Sequence, residues 1–194
     1  MKKYIVESLG TFTLTLIVAL SLAGNFQVST PFLAALTLGL FVYSVGHISG
    51  VHINPAVTIG AWSIKKISSK DALFYIISQF IGAIIAVFIV SGTKGAVNLS
   101  VFNTGMTFFA ELLGTFFFTF GIASVVYEKT PHQMSGIVVG GSLLLGIGIA
   151  ALLGSNSVLN PAVALGIGSF SFVYVLAPII GSVLGMRTYR YLNQ

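Results

Sequence analysis

Asn54-Pro55-Ala56-Val57-Thr58-Ile59-Gly60 recurs as Asn160-Pro161-Ala162-Val163-Ala164-Leu165-Gly166, with the first four residues and the last unchanged. Proline suits the first turn of a helix, where its missing N–H removes no hydrogen bond. Asparagine immediately before it suits an N-cap. Each copy therefore reads as the start of a helix. Each is followed by only a short apolar stretch, 55–63 and 161–169. A helix of roughly nine residues is about 14 Å long and cannot cross a hydrocarbon core of about 30 Å, but two placed end to end can.

The surroundings of both copies are almost free of charge. Of 194 residues, 56% are hydrophobic and 7% charged, and the mean hydropathy is +1.00, which is too apolar for a soluble domain of this size. There is no cysteine, so disulfides, thiol nucleophiles and cysteine metal sites are excluded. The net charge of +5 does not point to nucleic acid, because the basic residues sit at the ends of apolar runs. Met1-Lys2-Lys3 before an apolar stretch imitates a secretory leader. Glu7 interrupts that stretch and the same pattern returns inside the chain, which argues against cleavage.

Six long apolar segments, about 4–24, 31–49, 71–91, 107–127, 134–153 and 171–188, are long enough to span a bilayer. Lys2, Lys3, Lys65, Lys66, Lys70, Lys129, Arg187 and Arg190 fall on one side of this layout and Lys94 alone on the other. The bias places both termini in the cytoplasm. It holds only if the two short segments dip in and return to the side they came from.

A second repeat frames the first. Glu7-Ser8-Leu9-Gly10-Thr11-Phe12 matches Glu111-Leu112-Leu113-Gly114-Thr115-Phe116. Each repeat, about 1–91 and 107–194, holds three spans and one half-helix, with residues 92–106 as an outer linker. Three is odd, so the second copy enters the membrane upside down relative to the first. Inverted repeats with broken helices place a site near the bilayer midplane.

Ser44-Val45-Gly46-His47-Ile48-Ser49-Gly50-Val51-His52-Ile53-Asn54-Pro55-Ala56-Val57-Thr58 closely resembles the first signature of the aquaporin family, also called the major intrinsic proteins. The second triplet and the repeated Glu-x-Leu-Gly-Thr-Phe extend the resemblance over nearly the whole chain. It implies an all-α membrane protein of aquaporin-like fold, with six transmembrane helices and two half-helices in two inverted repeats. It also implies a homotetramer in the plasma membrane. Asn54, Pro55, Ala56, Asn160, Pro161 and Ala162 would form the central constriction. Glu7 would support the loop carrying His52, and Glu111 the loop before Asn160.

The residues themselves agree with this. Opposed half-helices bring two partly positive N-termini together, and Asn54 and Asn160 offer amide N–H donors to a water or alcohol oxygen there. His47 and His52 lack a third ligand for a metal site. Carboxylates in a span are costly and need partners, so a proton-coupled transporter using Glu7 or Glu111 is the main rival. Gly136, Gly140, Gly181 and Gly185 show the small-xxx-small spacing of close helix packing.

The family's outer filter falls, by ungapped counting from the triplets, on Ala34, Gly148, Ser157 and Val163. Typical members carry arginine where this chain has Val163. Losing a fixed guanidinium removes several donors and a positive charge, so the mouth is expected to be wider and less polar. The expected activity is passive conduction of water and small neutral solutes of the glycerol, urea and ammonia class, without cofactor and without catalysis. A water-only channel, an ion-leaking channel and a non-conducting structural membrane protein are the remaining alternatives.

Overall fold

The structure is a computed structural model that describes residues 1–24 and 26–194. Its helices are α1 (Lys2–Ala23), α2 (Thr30–Ser49), α3 (Pro55–Ser63), α4 (Ser69–Lys94), α5 (Gly105–Val126), α6 (Ser135–Leu152), α7 (Pro161–Gly166) and α8 (Phe172–Leu192), with a single 3₁₀ turn, His132–Met134, before α6. The turn and α6 together, like each of the other five long helices, are long and apolar enough to cross a membrane.

The chain buries its polar groups and exposes its apolar ones. Phe88 is 73% exposed and Leu152 90%, whereas Glu7, Glu111, Gln79, Thr11 and Thr115 are fully buried. In water that distribution would forfeit the hydrophobic driving force. In hydrocarbon the exposed Phe and Leu cost nothing, and the polar groups need internal partners.

Without that driving force, long helices associate through close packing. α1 lies against α4 and α5 against α8, while α2 meets α6 across the bundle. The contacts run over glycines. A Cβ on Gly39 would lie 2.8 Å from Gly136 O, and one on Gly140 would lie 2.6 Å from Ala35 O. Gly181 and Gly185 face the carbonyls of Leu112 and Phe116 on α5 in the same way. The small residues at this spacing therefore do lie in helix–helix seams.

The half-helices differ in length. α3 has nine residues and matches the expected stretch, but α7 has six and stops at Gly166. Gly168 takes φ +72, and Ser169 N–H turns back to Ala164 O at 2.9 Å. The outer linker occupies the space beyond. Leu99 N–H donates to Ile167 O at 3.1 Å, and a Cβ at Gly168 would lie 2.6 Å from Val97 O. The left-handed φ and the approaching linker both require glycine there.

Gly140 and its neighbour Gly141 separate packing from propensity, because a Cβ at Gly141 meets nothing within 4 Å. Gly140→Val is expected to destabilise the protein by about 1–3 kcal/mol through overpacking. Gly141→Val is expected to leave it unchanged. Thermal aggregation in detergent, followed by size-exclusion recovery, measures both.

Candidate functional site

α3 and α7 meet at their N-terminal ends, and the residues before them build the site. Asn54 caps α3, its Oδ1 accepting from Ala56 N at 2.8 Å. Asn160 caps α7, its Oδ1 accepting from Ala162 N at 3.0 Å and Val163 N at 3.3 Å. Capping fixes each amide plane and turns its Nδ2 away from its own helix. Asn54 Nδ2 donates to Leu159 O at 2.9 Å, and Asn160 Nδ2 to Ile53 O at 3.0 Å. Each asparagine is thus tied to the carbonyl preceding the other. One N–H of each amide is used in this way, and among the described residues the second has no protein acceptor.

The loops leading into the caps have unusual backbones. Val51 and Ile53 have φ +51 and +37, and Ser157 and Leu159 have φ +58 and +53. Left-handed conformations are strained for side chains of this kind, most of all for β-branched ones. A buried carboxylate holds each loop. Glu7 Oε1 accepts from His52 N at 3.0 Å and from Ser49 Oγ at 2.7 Å, while Oε2 accepts from Ile53 N at 2.7 Å and Gln79 Nε2 at 2.8 Å. Glu111 Oε1 accepts from Val158 N at 3.0 Å and from Ser155 Oγ, and Oε2 accepts from Leu159 N at 2.8 Å.

The two constellations correspond residue by residue. Ser49 Oγ accepts from Val51 N at 3.0 Å, and Ser155 Oγ from Ser157 N at 3.1 Å. Gly10 lies under Ile53 and Gly114 under Leu159, so the glycine of each Glu-x-Leu-Gly-Thr run makes room for its loop. The following threonines, Thr11 and Thr115, back-bond to the carbonyls of Glu7 and Glu111 at 2.8 and 2.7 Å. Ser49 and Ser155 were not singled out from sequence. Their signal was present, because the triplet repeat extends backwards to them.

Gln79, Thr58 and Tyr75 were also missed. Gln79 Nε2 bridges Glu7 and Thr58 Oγ1, the latter at 2.9 Å, and Thr58 Oγ1 lies 3.2 Å from His52 Nδ1. Tyr75 packs its ring edgewise on His52, with centroids 5.2 Å apart, and donates to Ser49 O at 2.8 Å. The loop of His52 is therefore fastened from α1 and α4 together. Among the described residues no three His, Cys, Asp or Glu side chains come together.

A cavity of about 260 Å³ is bounded by Leu22, Thr30, Pro31 and Asn156 as well as by His52, Asn54 and Asn160. Its wall is mostly apolar, with Val18, Leu38, Phe118 and Leu143 among its residues. Ala34, Ser157 and Val163 line it, as three of the four counted filter positions. Gly148 does not, and this corrects the ungapped count. Leu143 and Ile147, four apart on α6, face the cavity. Gly148 falls on a different face, about 100° further round, with Leu144 and Leu152, both exposed. The count failed because it ran back from Asn160 through the irregular segment 153–159, whose length follows no helical period. Ile147 stands where Gly148 was expected, and Leu99 of the linker adds a further apolar wall.

A family model described as major intrinsic protein matches residues 1–189. The chain belongs to the major intrinsic protein family. Aquaporin AqpM of Methanothermobacter thermautotrophicus is 35% identical over 178 residues, covering 78% of this chain and 71% of the relative. Glycerol uptake facilitator protein-like 6 of Lactiplantibacillus plantarum is 35% identical, covering 95% and 94%. The X-ray structure of the aquaglyceroporin from Plasmodium falciparum superposes with a TM-score of 0.79 at 26% identity, covering 96% of this chain and 94% of that one. As a major intrinsic protein of aquaporin fold, this chain is an integral membrane protein forming a channel for water or small solutes. It is not an enzyme.

Glu111→Gln tests the loop support. A carboxamide keeps one acceptor oxygen and sets an N–H against donors that Glu111 now satisfies. Each buried donor left unmet costs about 1–3 kcal/mol. The variant is expected to lose thermal stability in detergent and water conductance in liposomes together, and Glu111→Asp to lose less of both.

Proposed function

We propose that the chain conducts water and small neutral solutes passively, past Asn54 and Asn160, through a path whose outer mouth is set by Ala34, Ile147, Ser157 and Val163. The observation that carries this reading is the pair of capped, cross-tied asparagines at an apolar cavity, each with one amide N–H unclaimed by protein. A water oxygen there accepts from both amides. Its own hydrogens then point away along the path, so no water at the centre passes on a proton from the other side. The partial positive charge at the N-terminus of α3 opposes cations at the same place.

The apolar wall offers water few competing hydrogen bonds and leaves room for a carbon skeleton. A relative named as a glycerol uptake facilitator and a structural neighbour named as an aquaglyceroporin support extending the solute range beyond water. Ile147 and Leu99 favour the narrower reading, a water channel, because they fill part of the mouth that Gly148 would have left open. The lack of a filter cation at Val163 shifts exclusion of charged species towards the central asparagines. Glu7 and Glu111 are read as loop supports, their oxygens being occupied by loop donors; a coupled transporter would need one of them free to exchange a proton with the path.

The same proposal takes residues 1–91 and 107–194 as the two inverted repeats and 92–106 as the outer linker. It places both termini in the cytoplasm, on the basic side of the chain, and the assembled channel as a homotetramer in the plasma membrane.

Stopped-flow light scattering on proteoliposomes tests the function. Wild type is expected to admit water and glycerol down their gradients, with no accumulation against one. Val163→Arg is expected to cut glycerol entry at least tenfold, which corresponds to about 1.4 kcal/mol on the barrier, while water flow persists. Ile147→Ala is expected to raise glycerol entry. Wild-type glycerol entry no faster than through protein-free liposomes contradicts the wider solute range.

A further inference from the structure

The loop between α3 and α4 and the last turns of α8 enclose a surface cleft of about 640 Å³. It lies apart from the conducting cavity, and none of its lining residues lines that cavity. Lys65, Lys66 and Arg187 line it with Trp62, Ser68 and Ser69, and no carboxylate does. Asp71, the acid nearest along the chain, is engaged elsewhere. It accepts from Lys3 Nζ at 2.8 Å and from Tyr4 Oη at 2.8 Å.

The three cations differ in how they are held. Lys66 is fixed, its Nζ 3.3 Å from Val126 O and 4.5 Å from the centroid of the Tyr127 ring. Lys65 and Arg187 have no hydrogen-bond or ion-pair partner among the described residues. Lys65 is carried on a left-handed backbone, φ +63, at the turn where α3 ends. A chain that assigned these cations only to mark the inner side would not need to gather them around one concavity.

Trp62 sets the depth. It is 48% exposed, and its Nε1 donates to Ser69 Oγ at 3.0 Å, across the cleft's own loop. Trp62 stands near the C-terminal end of the half-helix α3, beside Lys65 and Lys66, and tryptophan is enriched at membrane–water interfaces, at the level of lipid headgroups. From the cleft, α4 runs into the membrane with Leu73, Phe74 and Ile77 exposed. Cationic side chains at headgroup depth therefore adjoin an apolar helix surface.

We propose that this cleft binds the phosphate headgroup of an anionic phospholipid, with Lys65 and Arg187 as its principal ligands, Lys66 as a fixed neighbouring charge and the acyl chains along α4. The guanidinium supplies paired donors to phosphate oxygens, and the ammonium a point charge. The proposal does not depend on which solute the channel conducts.

Native mass spectrometry of the detergent-purified protein, titrated with phosphatidylglycerol or phosphatidylcholine, tests it. Wild type is expected to bind phosphatidylglycerol at least tenfold tighter. A cation near an anionic headgroup contributes roughly fivefold in affinity, so Lys65→Gln/Arg187→Gln is expected to weaken that binding about 25-fold. The charge-matched control Lys2→Gln/Lys129→Gln is expected to change it less than twofold, and the charge-keeping Lys65→Arg/Arg187→Lys to retain it. The last variant keeps the test decisive if neutralisation impairs folding. Equal binding by wild type and the neutralised cleft overturns the proposal, as does an equal loss in the control. Displacement of the lipid by millimolar inorganic phosphate would assign the site to a free anion and overturn it too.

Discussion

A carboxylate surrounded by hydrocarbon is tolerable only when donors meet its charge. In this protein the donors are the backbone N–H groups of the two loops that carry Asn54 and Asn160. The arrangement solves two problems at once. Glu7 and Glu111 gain hydrogen bonds at both oxygens, and four N–H groups that no helix or sheet can satisfy gain acceptors. Neither the strained loops nor the buried acids would persist without the other. The capped asparagines, the carbonyls they are tied to and the cavity wall at Ser157 and Val163 all hang from these contacts.

The same constraint explains why the helices around the site are sewn together by glycines. A loop that enters the interior must be reached by a side chain from a neighbouring span. Gly10 and Gly114 let Ile53 and Leu159 lie directly on α1 and α5, one turn from the glutamates. Close approach of the spans then keeps each side-chain carboxyl within hydrogen-bond reach of the loop backbone, with Ser49, Gln79 and Ser155 adding side-chain donors. The cross-ties from Asn54 to Leu159 and from Asn160 to Ile53 join the halves into one unit.

Much of this was legible because the repeat carries its chemistry in identical residues. The triplets announced helix starts and the apolar runs announced the spans, while a loop-support role for Glu7 and Glu111 came only from the resemblance to the aquaporin family. What could not be read depends on irregular backbone or on partners distant in the chain. Gly148 was assigned to the outer filter by counting through residues 153–159, which have no period, and Ile147 rather than Gly148 lines the cavity. α7 ends at Gly166 because the outer linker packs against Ile167 and Gly168, a contact between residues far apart in sequence. Gln79 is one polar residue in a long apolar run, and only the packing of α4 on α1 brings it to Glu7.

The account stands or falls on the amide donors presented by this framework. The most direct test is osmotic water permeability of proteoliposomes, with proton flux followed by an entrapped dye in the same vesicles, for wild type and Asn54→Asp. The substitution keeps the helix-capping oxygen, removes the N–H donors and adds charge. Fast water flow without proton flux in wild type, and slower water flow with altered proton exclusion in the monodisperse variant, is the predicted result. Water flow and proton exclusion unchanged by the substitution would contradict it.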